Sequence, residues 1–180
     1  KNLGLSAIES VIYKPYKTSQ SVVNLVLLDT SASVLHGQAF SKAKAIMVSL
    51  SERAYLNREF LSLLGFGNQS VDLLLPLMKS PKDISSYIDN IRAGGGTPLR
   101  DALIEASDYQ NKITQQLPQS SFRNTIITDG KTKQCFDGLN LLGKTTVIDV
   151  EQSQVRRGRS KALADILSAD YFHLDVISTS

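Results

Sequence analysis

Val22-Val-Asn-Leu-Val-Leu-Leu28 runs directly into Asp29-Thr-Ser31-Ala-Ser33, and a long helical pattern follows. A near-continuous apolar strand is what a parallel sheet covered on both faces requires. The segment after it places a carboxylate and two alternate hydroxyls on one loop. Those are three hard oxygens, a set suited to a Mg2+-class ion rather than a soft metal. Two later segments supply more of the same chemistry. Gly94-Gly-Gly-Thr97-Pro98 offers another hydroxyl at a helix start, and Thr128-Asp129-Gly130 offers a second carboxylate at the end of another apolar run.

Each piece alone has a plainer reading. Asp and Ser after a strand satisfy orphan helix N–H groups and shape turns. Thr97-Pro98 reads as an N-cap followed by proline at the first helical position, and Asp129-Gly130 as a turn. Their order is more specific than any one of them: strand, D-x-S-x-S, helix, strands, G-T-P, helix, strand, D-G.

The rest of the chain fits that order. Residues 1–20 read as a lead-in segment, with a short strand near residues 8–13, and residues 21–180 as the domain. Phe40, Ala43, Met47, Leu50 and Ala54 recur at helical spacing and predict a helix over 38–56. Residues 60–66 and 71–75 read as strands around a Gly67-Asn68 turn. Ile84, Tyr87, Ile88 and Ile91 mark a helix ended by Gly94, and Leu99 to Ile113 another reaching about Gln116. Strands are expected at 124–128, 145–150 and 171–174, with a short helix at 136–142 and another at 160–167. The alternation predicts an α/β fold: a three-layer, doubly wound, mostly parallel sheet with one antiparallel edge strand. In such sheets ligands sit beyond the carboxyl ends of the strands, where Asp29 and Asp129 both fall.

This combination resembles the von Willebrand factor A (integrin I) domain with its metal-ion-dependent adhesion site. The family's five metal positions have matches in Asp29, Ser31, Ser33, Thr97 and Asp129. Within the family the chain is most similar to the C-terminal domain of magnesium- and cobalt-chelatase D-type subunits. Three stretches carry that likeness: Ala43-Lys-Ala-Ile-Met-Val-Ser-Leu-Ser-Glu-Arg-Ala-Tyr55, Gly94-Gly-Gly-Thr-Pro-Leu99 and Gly158-Arg-Ser-Lys-Ala-Leu-Ala164. The family's usual D-x-S-G-S-M reads Asp29-Thr-Ser31-Ala32-Ser33-Val34 here, which stiffens the loop but removes no oxygen ligand.

The resemblance implies a non-catalytic interaction module. Mg2+, with Mn2+ or Ca2+ as substitutes, would be held by Ser31 and Ser33, by Thr97 directly or through water, and by Asp29 and Asp129 mainly through water. One coordination position would take a partner's Asp or Glu. It also implies a AAA+ ATPase subunit or domain as motor; the alternative is a partner of another, MoxR-type, AAA+ ATPase unconnected to tetrapyrrole metal insertion. Lys131 and Lys133 beside Asp129, with the basic segment 156–159, would extend the partner face.

Composition narrows the alternatives. The chain has 180 residues, 42% hydrophobic and 21% charged, as in an ordinary single globular domain. The net charge of +3 is modest, and Arg156, Arg157, Arg159 and Lys161 lack the interleaved aromatics of a nucleic-acid stacking surface. No nucleic-acid partner is expected. The single cysteine, Cys135, precludes an internal disulfide and fits a reducing compartment. No membrane-spanning run or signal peptide is visible, so a cytoplasmic location is expected. Because the chain begins at Lys1, it reads as a fragment of a longer protein.

Two enzyme readings are disfavoured by chemistry, with a phosphate-processing enzyme using Asp29 as the remaining alternative. Gly138-Leu-Asn-Leu-Leu-Gly143-Lys144-Thr145 matches G-x-x-x-x-G-K-[ST], but that loop needs a strand before it and a helix after it. Here a Leu-rich, helix-like stretch precedes and the β-branched run from Thr145 follows, so Gly143 reads as a helix end. Asp29 as a nucleophile, in the manner of haloacid dehalogenase-like phosphatases, would need an acid/base aspartate two residues on. That position is Ser31. His36 and His173 read as polar surface and strand positions.

Overall fold

A computed structural model describes residues 20–35, 38–132, 134–153 and 158–177. The expected strand at 8–13, His36, Lys133, Arg156 and Arg157 lie outside the described residues. The elements are β1 (Ser21–Asp29), α1 (Ala32–Leu35), α2 (Gln38–Leu56), β2 (Phe60–Gly67), β3 (Ser70–Lys79), α3 (Ser85–Ile88), α4 (Leu99–Gln116), β4 (Ser120–Thr128), β5 (Lys144–Asp149), α5 (Arg159–Ile166), β6 (Asp170–His173) and α6 (Leu174–Ile177).

The six strands form one sheet in the order β3-β2-β1-β4-β5-β6. All pairs are parallel except β2 with β3, which form the antiparallel edge. β1 is central, and its alternation decides the layers. Val26 and Leu28 pack with Ala39, Ala43 and Met47 of α2. Leu25 and Leu27 pack on the other face with Leu99, Ala102, Leu103 and Ala106 of α4 and Leu163 of α5. Helices thus cover both faces, and the apolar runs of β1, β2, β4 and β5 are buried between them, the main stabilising contribution in such a fold, whereas the edge strand β3 leaves Leu73 and Met78 exposed.

Beside an earlier start of β4 at Ser120 and the short helices α1 and α6, three larger differences separate the structure from the sequence reading. β3 continues past the expected 71–75 to Lys79, through Pro76. An edge strand tolerates proline because one side of it needs no ladder. A register shift opposite Ser62 takes up the irregularity, and the Leu77 N–H donates to the Tyr109 hydroxyl of α4 at 2.9 Å. The helix expected over 84–91 is the single turn α3. Ile84 and Ile88 are still core residues, but the chain beyond is drawn toward β1, where the Gly94 N–H donates to Thr30 O at 3.0 Å.

The third difference is at 136–142, where no helix forms. Gly138 and Gly143 adopt φ of 75° and 85°, a left-handed conformation that interrupts a helix. The backbone of Leu142 is instead held by side chains. Its N–H donates to Gln110 Oε1 at 2.8 Å, and its carbonyl accepts from Asn124 Nδ2 at 2.9 Å and Gln110 Nε2 at 3.0 Å. Gly143 is therefore not a helix end. Lys144 begins β5, so the P-loop-like stretch has a strand where a phosphate-binding helix would have to start.

Candidate functional site

The carboxyl ends of β1 and β4 lie side by side, with Leu28 paired to Ile127. The chain leaves β1 at Asp29 and β4 one residue before Asp129, so both carboxylates emerge at the same edge. Asp29 is fully buried. Its Oδ1 accepts the Ser31 N–H at 2.9 Å, closing an Asx turn, and its Oδ2 accepts the Thr128 hydroxyl at 2.7 Å. Thr128 Oγ1 in turn accepts the Gly130 N–H at 3.0 Å. One chain of hydrogen bonds therefore sets the first loop against the third.

The hydroxyls continue it. Ser31 Oγ lies 3.2 Å from Ser33 Oγ, and Ser33 Oγ donates to Asp129 Oδ2 at 2.6 Å. Asp129 Oδ1 accepts the Lys131 N–H at 3.0 Å, while Lys131 Nζ sits 3.0 Å from Oδ2. Burial pushes the Asp29 carboxyl up to about 6, with the Asp129 charge adding to the effect and the hydrogen bonds from Ser31 and Thr128 pulling the other way.

The second loop reaches this edge through its backbone. Ser31 and Gly94 form a parallel bridge, with Ala32 N donating to Gly94 O at 2.9 Å. A Cβ on Gly94 would run into Asn68 of the β2–β3 turn, so only glycine allows this approach. Thr97 stands three residues beyond the bridge, half-buried, and does not cap α4: the N-cap position is Pro98, with no side-chain cap. The reading of Thr97 as an N-cap is thereby corrected. Of the five candidate positions, hydrogen bonds bring Asp29, Ser31, Ser33 and Asp129 into one cluster, and Thr97 stands on the adjoining loop.

The donor chemistry is uniform: two carboxylates and serine hydroxyls, all hard oxygens, which fits a hard divalent cation and not a thiolate- or imidazole-seeking one. Among the described residues, no three His, Cys, Asp or Glu side chains gather into a cage of their own. Cys135 is exposed and turned to Asp137. His173 ends β6, buried, with Nε2 3.0 Å from Glu151 O. Neither belongs to the cluster.

Four residues here have roles that the sequence reading does not assign. Thr128 holds Asp29; its place at the end of β4, next to the end of β1, was the available signal. Lys131, expected only as a rim charge, is paired with Asp129. Gln134 and Arg100 join the third loop to α4, with Gln134 Oε1 accepting the Arg100 N–H at 2.8 Å. Nothing in their spacing announces that contact.

Residues 25–131 match the sequence profile of the von Willebrand factor type A domain. Over 92% of its length the chain is 24% identical to the magnesium-chelatase 67 kDa subunit of Chlorobaculum parvum, matching 30% of that protein. The magnesium-chelatase 67 kDa subunit of Heliobacterium mobile is 26% identical over 89% of the chain and 27% of its own length. The chain therefore spans less than a third of these curated relatives. In fold it is similar to the crystal structure of the conserved hypothetical protein BatB from Bacteroides thetaiotaomicron. The TM-score is 0.63 at 16% identity, covering 88% of this chain and 96% of that one. With a profile match over more than half of its residues and a sheet of the order just described, the chain belongs to the von Willebrand factor type A domain family.

Proposed function

We propose that the domain is a Mg2+-dependent protein-interaction module of a chelatase-like complex. The observation that carries this reading is the 2.6 Å bond from Ser33 Oγ to Asp129 Oδ2, which joins loops 96 residues apart into a single oxygen cluster. Ser31, Ser33 and Thr97 would offer hydroxyls to the ion, and Asp29 and Asp129 would balance its charge. The ion supplies an incompletely neutralised positive centre for a partner carboxylate, a stronger and more directional attraction than a surface lysine gives. Similarity to magnesium-chelatase subunits along nine-tenths of the chain supports a partner within such a machine, and an AAA+ ATPase would be its motor, as the resemblance implies.

The role is binding, not catalysis. Asp29 is buried with both oxygens accepting hydrogen bonds, an arrangement that does not present a nucleophile. Lys144 opens β5, at the end of that strand away from Asp29 and Asp129. No described helix is long and apolar enough to cross a membrane.

The test is calorimetric titration with Mg2+ and Mn2+, followed by capture of the cognate AAA+ ATPase with Mg2+ or with EDTA. Saturable metal binding is expected, lost in Ser31→Ala/Ser33→Ala with the circular dichroism unchanged, and ATPase capture should disappear in EDTA. Metal binding that survives the double substitution sinks the site assignment. Capture of a MoxR-type ATPase in place of a chelatase one would move the domain to a different machine.

A further inference from the structure

Helix α4 starts with its N–H groups in need of acceptors, as every helix does. Its N-cap residue, Pro98, has no side chain that accepts. Thr97, the nearest hydroxyl, has no hydrogen-bond partner among the described residues. The acceptor comes from 34 residues away: Gln134 Oε1 takes the N–H of Arg100, the second residue of the helix, at 2.8 Å. Arg100 holds the loop a second time, because its Nη1 donates to the carbonyl of Cys135, the residue after Gln134. The same loop is tied down behind this point. Gln134 N–H donates to Thr132 Oγ1 at 3.2 Å, and Thr132 O accepts from Arg159 Nη1 of α5 at 2.9 Å.

We propose that Gln134 is a positioning residue that caps α4 from the Asp129 loop, locking the Thr97 and Asp129 loops into one unit and leaving the Thr97 hydroxyl available to the oxygen cluster. A threonine immediately before Pro98 would otherwise be drawn to the helix N–H groups, as its residue type favours. With Gln134 in that role, the hydroxyl is not committed to the backbone. The consequence for metal binding rests on the reading of the cluster as a cation site; the cap itself does not.

The experiment uses the full chain with Gln134→Ala, Gln134→Glu and Thr97→Ala. Amide hydrogen exchange at Arg100 is followed in EDTA, and Mn2+ affinity by electron paramagnetic resonance. Gln134→Ala should speed Arg100 exchange roughly fivefold, the effect of a lost cap. Gln134→Glu keeps an acceptor that a helix N-terminus favours and should restore protection, while Thr97→Ala leaves it unchanged. Mn2+ affinity should fall in Gln134→Ala and recover in Gln134→Glu. Unaltered Arg100 exchange in Gln134→Ala overturns the proposal, as does a loss of protection in Thr97→Ala, which would make Thr97 the cap. If the parent protein binds no Mn2+, the cation reading fails while the exchange measurements still decide whether Gln134 caps the helix.

Discussion

Lys131 Nζ and the Ser33 hydroxyl converge on the same oxygen, Asp129 Oδ2, at 3.0 and 2.6 Å. The Asp129 carboxylate is buried, and the lysine reaches it from two residues along, with 41% of its side chain exposed. A tethered ammonium at that oxygen competes with any other cation that would approach it. Lys131→Met keeps the aliphatic stem and removes the competitor. A half-exposed pair of this kind is worth about 1 kcal/mol, so Mn2+ should bind roughly fivefold more tightly, measured by electron paramagnetic resonance or calorimetry. Equal or weaker binding would show that the ammonium does not compete, and would return Lys131 to the partner-facing role its position in the sequence suggests.

Asp29 makes a pH-dependent contribution to stability with a definite sign. Its carboxyl is raised from 3.8 to about 6, chiefly by burial. A group with a raised folded value contributes fully below about pH 4, and that contribution is lost as pH rises toward 6. The ionised form therefore costs stability at neutral pH, on the order of 3 kcal/mol for a shift of this size. In EDTA, Asp29→Asn should be more stable than the parent at pH 7.5, and the gain should vanish near pH 4. Urea unfolding at the two pH values checks it, since groups common to both proteins cancel in the difference. A gain that persists at pH 4 would have to come from something other than ionisation.

Much of this arrangement was legible before the structure. The Val22–Leu28 run gave the central strand because both faces of β1 are covered, and the spacing of Ala43, Met47 and Ala54 gave α2 because one face of that helix is buried. The meeting of Asp29, Ser31, Ser33 and Asp129 at one edge was legible because each lies at or just past a strand end, where parallel topology must gather the loops. Non-local side-chain bonds were not. The grip of Gln110 and Asn124 on Leu142 replaces a helix that the local leucines alone suggest. Tyr109 holds the irregular stretch after Pro76, and Gln134 caps a helix from 34 residues away. Periodicity reports the burial of one element and carries no record of such pairings.

Gly130 gives the sharpest test of how the Asp129 loop is held. Its φ is 65°, and a Cβ there would fall 2.8 Å from the Ser160 N and 2.7 Å from its Oγ, at the start of α5. Its own N–H feeds Thr128 Oγ1, which holds Asp29 Oδ2. An alanine would therefore push the loop off α5 and disturb the bonds to both carboxylates at once. Left-handed strain costs about 1 kcal/mol, and forcing a methyl into a packed contact adds roughly 1–3 kcal/mol. Gly138 is the control. Its φ is 75°, yet a Cβ there meets nothing within 4 Å, so Gly138→Ala should cost only the strain and leave Mn2+ affinity alone. Gly130→Ala should lose about 2–4 kcal/mol in urea unfolding and bind Mn2+ poorly even where it remains folded. If the two alanines cost the same and bind alike, the close approach to Ser160 is not what positions Asp129, and the hold on that loop must come from its hydrogen bonds to Ser33, Thr128 and Arg159.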